Sequence, residues 1–158
     1  MGGIPFGAKR GHEVASELRT FEAIWQISYI HDALLPADFC SAAYLNDGSS
    51  FKTRTRTTLE GALVDTELSE QDARTYIEAL IDAGIFDWMR VYKPAQGTFV
   101  KYSTEWRLQI DFAKPEAGRT PKPFVVEGEN CFPDNYELIQ KLLMSVPRQN
   151  ETAPSEED

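Results

Sequence analysis

Two histidines, His12 and His31, and two cysteines, Cys40 and Cys131, are the chain's whole supply of nitrogen and sulfur ligands. A zinc site takes three or four such ligands, and no two of these residues sit at a local ligand spacing, so neither a metal nor another cofactor is expected. Cys40 or Cys131 with His31 would form a thiol–imidazole pair only if the thiol were pushed toward thiolate. The residues around them favour small buried thiols and a solvated imidazole instead. Glycine-rich phosphate loops, G-x-S-x-G, H-E-x-x-H and paired C-x-x-C motifs are all missing from the sequence. No catalytic residue is assigned.

Three other groups of residues could do chemistry. Lys52, Arg54 and Arg56 alternate along one stretch, so on a strand they share a face and could grip an anionic ligand. Carboxylates crowd the region from Glu60 to Asp87, with only Arg74 among them. They read as a solvated face, because general acid–base work needs a pair of them in a cleft. Tyr92, Asn130 and Asn135, with Asp134, would bring polar tips to an aromatic wall beside the stretch Gly128 to Tyr136. That is the one place where a hydrolase or transferase crevice could form. The same residues also have a structural reading as turn, cap and core positions.

Charge narrows the partners. With 25 acidic against 16 basic residues the net charge is −9, which works against binding nucleic acid or an anionic membrane. A protein partner with basic character is compatible with it, and self-association is possible. No apolar run reaches the ~20 residues of a membrane helix. The N-terminal stretch MGGIPFGAKRGHE has no apolar segment of the secretory kind, so a cytoplasmic location is expected.

The elements that would position these residues follow from periodicity. From Phe21 to Tyr29, aromatic and branched residues alternate with Glu22, Gln26 and Ser28, which predicts a half-buried strand with Trp25, Ile27 and Tyr29 inward. Phe39 to Leu45 and Phe51 to Thr58 flank Asn-Asp-Gly-Ser-Ser, the turn chemistry of a hairpin. Ser69 can cap a helix whose apolar stripe is Ala73, Ile77, Leu80 and Ile81, with Gly84 as its stop. Trp106, Leu108, Ile110 and Phe112 alternate with Arg107, Gln109 and Asp111 in a further strand, and Phe124 to Val126 form a short one. Pro133 and Asp134 open a last helix with Tyr136, Ile139, Leu142, Leu143 and Val146 as its core stripe. These elements predict an α+β fold, an antiparallel sheet of about five strands with two helices packed on one face. The domain runs over 18–147, between a loose arm at 1–17 and an acidic, disordered tail at 148–158.

Ile85-Phe86-Asp87-Trp88 after a helix, Tyr92 soon after, the W-x-L-x-I strand at Trp106 and the G-x-N-x-x-P turn at Gly128 together resemble a widespread group of small uncharacterised bacterial proteins, frequent in gut Gram-positive bacteria. The resemblance covers roughly Ser69 to Val146. Two segments, Lys93 to Glu105 and Lys114 to Lys122, are longer here than in that pattern. The resemblance implies a fold and a type of host, and no activity comes with it.

The functional expectation is a non-enzymatic binding module, with Tyr92, Asn130, Asn135, Lys52, Arg54 and Arg56 as contact residues. An acidic inhibitor of a basic partner, of the immunity or anti-defence kind, and an enzyme with a crevice at Gly128 to Tyr136 are the alternatives. The tail holds Glu151, Glu156, Glu157 and Asp158 with little to bury, against an ordering cost of ~1–2 kcal/mol per residue. Deleting 148–158 is therefore expected to leave the thermal midpoint unchanged. A fall of many degrees in a calorimetric scan would show that the tail packs.

Overall fold

The computed structural model describes residues 14–33, 38–95, 104–113 and 121–145. Its architecture is α+β, a seven-stranded mixed sheet with two helices. In chain order the elements are β1 (Ile24–Ala33), β2 (Cys40–Asn46), β3 (Phe51–Arg56), β4 (Val64–Leu68), α1 (Glu70–Asp82), β5 (Val91–Tyr92), β6 (Thr104–Phe112), β7 (Phe124–Glu129) and α2 (Tyr136–Met144). The strand order is β4-β3-β2-β1-β6-β7-β5. Each neighbouring pair is antiparallel except β5 with β7, which is parallel. The sheet thus exceeds the expected five strands and is not purely antiparallel. The two additional strands carry weak signals. β4 reads Val-Asp-Thr-Glu-Leu, and acids are depleted in strands; β5 has only two residues. The Phe51 strand stops at Arg56, short of Thr58.

Both helices pack on one face. Strand residues pointing to that face are buried in register: Ile27 lies between Tyr44 and Ile110, and Tyr29 between Ala42 and Leu108. Tyr76 of α1 stacks on Tyr44 at 5.9 Å, and Tyr136 of α2 shares a 2.6 Å hydrogen bond with Tyr29. The α1 start is the expected one, with the Ser69 hydroxyl accepting from the Asp72 amide at 3.0 Å. Gly84 ends the helix in the left-handed region, at φ 96°. Ile85, Phe86 and Trp88 follow it into the core. Val14 and Leu18 pack against the same core.

Three local expectations are corrected. Between Ile24 and Gln26 the β1–β6 register slips by one residue, a β-bulge. Ile24 is therefore buried and Trp25 is exposed, with Ile27 and Tyr29 inward. Phe21 is buried from a turn ahead of the strand, not from the strand itself. Gly128 is not a turn glycine: it lies in β7, opposite Trp106, and does not adopt a positive φ. Its lack of a side chain makes room, since a Cβ there would meet the Trp106 Nε1 at 2.0 Å. The residue that takes the left-handed backbone is Asn130, at φ 54°. Pro133 stands one turn ahead of α2, its carbonyl accepting from the Tyr136 amide at 3.1 Å.

The arm as far as residue 13, with His12, the Pro36 loop, most of the 114–122 loop, Val146, Pro147 and the tail lie outside the described residues. Gly128→Ala must displace the Trp106 indole or the β6–β7 backbone, and overpacking of this kind costs about 1–3 kcal/mol or more. Urea denaturation is the check, and an unchanged midpoint would mean that the indole does not rest on this glycine.

Candidate functional site

Side chains alternate across a strand, so burial of one face by the helices sends the other set outward. Cross-strand register arranges that outer set in rows. One row runs Ile30, Arg107, Glu127, Val91 across β1, β6, β7 and β5, and the next runs Asp32, Glu105, Glu129. Together with Lys93 these residues line a groove of about 420 Å³. Arg107 pairs with Glu127 at 3.3 Å. Asp32, Glu105 and Glu129 have no ion pair among the described residues. Three carboxylates thus stand in adjacent cross-strand positions, an arrangement that costs stability.

A second groove, about 440 Å³, lies on the β1–β4 half of the sheet. The row Gln26, Leu45, Lys52, Glu67 contributes to its lining, and Trp25 and the β2–β3 turn border it. The turn is held by Asp47, whose Oδ1 accepts from the amides of Ser49 and Ser50 at 3.0 and 2.9 Å. Those amides hold the Asp47 carboxyl at about 2, below its ordinary range.

The basic stripe faces acids within its own sheet. Arg54 makes a two-pronged pair with Asp65 at 2.7 and 3.0 Å, and Lys52 stands 3.7 Å from the same carboxylate. Arg56 donates to the Leu59 carbonyl at 3.2 Å. Asp65 and Glu67, part of the acid-rich stretch read as a solvated face, thus belong to an edge strand.

Tyr92, Asn130 and Asn135 are spread along the aromatic core, each with internal bonds. The Tyr92 hydroxyl accepts from the Met89 amide at 2.8 Å, and its ring lies 5.7 Å from that of Trp106. The Asn130 side chain accepts from the Thr104 amide at 2.8 Å. Asn135 accepts from the Trp88 indole at 2.7 Å and donates to the Ala83 carbonyl at 2.8 Å, joining the end of α1 to the start of α2. Of the three, Tyr92 borders the first groove.

The nearest approach to a nucleophile site is internal. His31 is directly opposite Cys40 in the β1–β2 register, yet the hydrogen bond of its Nδ1 goes to the Tyr136 hydroxyl at 2.8 Å. Tyr136 continues to Tyr29 at 2.6 Å, and Gln140 donates to Tyr29 at 2.8 Å and to the Cys40 sulfur at 3.4 Å. Burial raises the Cys40 thiol and lowers the His31 imidazole, with Asp38 and Asp32 opposing the latter. Both shifts favour neutral partners, the reverse of a thiolate–imidazolium pair.

The acid row and Trp25 were not singled out from sequence. Outward alternation in β6 was visible there, but which residues become neighbours depends on strand order and register. Among the described residues no group of three or more His, Cys, Asp or Glu is placed to hold a metal ion, and no helix is long and apolar enough to cross a membrane. In comparisons with known proteins, no family model, no curated protein and no solved structure matches the chain.

The His31 shift predicts a pH dependence. Its pKa is lowered on folding from the ordinary value near 6.5. Its contribution to stability is therefore complete above ~6.5 and is lost as pH falls through the lower folded value. Between pH 7.5 and 5.5 (about one unit either side of that value) the wild-type melting midpoint should drop, and the His31→Gln midpoint should drop less. Equal slopes would refute the assignment.

Proposed function

We propose that the chain is a non-catalytic binding module whose outer sheet face receives a basic protein partner. The observation that carries this reading is the row Asp32, Glu105, Glu129, three carboxylates with no ion pair among the described residues, beside a groove of about 420 Å³. Like charges in adjacent cross-strand positions oppose folding, and a partner's lysines or arginines would reverse that cost on binding. The non-catalytic part of the reading is supported by the neutral His31–Cys40 surroundings. It is also supported by the internal bonds of Asn130 and Asn135. Cys40 and Cys131 are free thiols, as suits a reducing cytoplasm. An inhibitor that offers acids to a basic target would use the same face, so the immunity or anti-defence reading is a special case of this one.

The two properties of the acid row should separate in experiment. Glu105→Gln relieves repulsion with both neighbours and should raise stability by a few tenths of a kcal/mol. The double variant E105K/E129K should lose basic proteins that the wild-type chain retains from its source lysate, and salt should release them from the wild type. Partners retained equally by the double variant and at high salt would reject the proposal, as would turnover of a small-molecule substrate.

A further inference from the structure

Trp88 and Trp106 are 4% and 2% exposed, whereas Trp25 is 39% exposed. The β1 bulge supplies the extra residue that puts Trp25 at this position, and bulges commonly re-aim a side chain at a site. The indole rests over the β2–β3 turn, where a Cβ on Gly48 would lie 3.6 Å from its Cη2. A rigid aromatic surface therefore borders the second groove.

The charges around it have a definite sign. Asp47, next to Gly48, is fixed by the turn through its Oδ1, while its Oδ2 accepts, among the described residues, from the Ser50 hydroxyl alone, at 3.1 Å. Glu67 on β4, three strands from Trp25 on β1 (about 14 Å at the usual strand spacing), has no ion pair among the described residues. Lys52, the cation of the groove, stands 3.7 Å from Asp65. An aromatic face beside a fixed carboxylate suits a planar cation, which can stack on the ring and fork to the oxygens. An anion would meet Asp47 and Glu67 instead.

We propose that the groove beside Trp25 seats an arginine of the basic partner, its guanidinium over the indole and next to the Asp47 carboxylate. This rests on the reading of the outer face as a surface for a basic protein, and it names the anchor. Ammonium is a weaker fit than guanidinium, being a hydrated point charge without a plane to stack. The two grooves lie on opposite halves of the outer face, so the partner segment reaches from the Trp25 anchor toward the carboxylates of β6 and β7.

The probe is a blocked octapeptide alternating arginine and glycine, compared with its lysine and citrulline counterparts. Affinity is read by calorimetry and site occupancy by tryptophan emission. The arginine peptide should change the emission of the wild-type chain and leave that of Trp25→Phe unchanged, since the other two indoles are buried. It should bind about fivefold or more tightly than the citrulline peptide, and Trp25→Leu should weaken it by a similar factor. Glu67→Gln, outside the core, should weaken it as well and serves as the second variant should Trp25→Leu not fold. Equal binding of the arginine and citrulline peptides would overturn the proposal, as would no binding to the wild type. Unaltered binding to both variants with loss in E105K/E129K would overturn the anchor and leave the basic-partner reading standing. A concentration-dependent emission change without peptide would assign the groove to a second copy of the chain, and would equally overturn it.

Discussion

Trp106 seated against the bare backbone of Gly128 is the contact on which the rest of the molecule depends. The indole fills the space a Cβ would need and donates to the Cys131 carbonyl at 3.0 Å. Its ring lies 4.7 Å from Tyr136, 5.3 Å from Trp88 and 5.7 Å from Tyr92. One side chain of β6 thereby ties β7, the short β5 and the start of α2 to a single centre. Tyr136 passes that anchoring on through its hydroxyl to Tyr29 of β1. The parallel β5–β7 pair has only two residue pairs. Its position at the sheet edge owes more to Tyr92 packing on Trp106 than to its own ladder.

Putting this aromatic mass on one face determines what the other face can be. α1 and α2 are both committed to the inner side, and the outer side is free to carry charge. Ion pairs satisfy part of that charge: Arg54 with Asp65, Arg107 with Glu127. Such exposed pairs contribute little individually. Their interest lies in what they leave over, the Asp32–Glu105–Glu129 row and Glu67. The edge strand β4 adds a related constraint. Were two copies to pair through β4 as one continuous sheet, with helices on the same side, Asp65 and Glu67 would meet acids across the new ladder. That opposes edge-to-edge association in this arrangement.

The sequence made legible whatever depends on one segment at a time. The β6 alternation, the Ser69 cap, the Gly84 stop and the Asp-Gly hairpin each rest on residues a few positions apart, and each is present in the structure. What was hidden depends on partners far along the chain. Gly128 looked like a turn residue until Trp106 was placed opposite it. Trp25 looked buried because strict alternation ignores the extra residue of a bulge. β4 was hidden in an acid-rich stretch read only as a solvated face, until Lys52 and Arg54 appeared beside it. The acid row was the least legible feature, since its members come from β1, β6 and β7 and no spacing in the sequence links Asp32 to Glu105 or Glu129.

The internal polar chain supports the proposal of a binding module. Tyrosine hydroxyls can donate or accept, so the Tyr29–Tyr136–His31 part of the chain can stay bonded in either direction of its protons, while the Gln140 amide donates into it. Burial lowers the imidazole and raises the thiol, and both groups remain neutral in the same range of pH. A neutral thiol bonded to an amide is a poor nucleophile, and a histidine whose bond goes to a tyrosine is not oriented to activate it. The chain therefore serves to join α2 to β1 and β2. In a chain of 25 acids and 16 bases, Asp32, Glu105 and Glu129 stand without an ion pair among the described residues on the sheet face opposite the two helices.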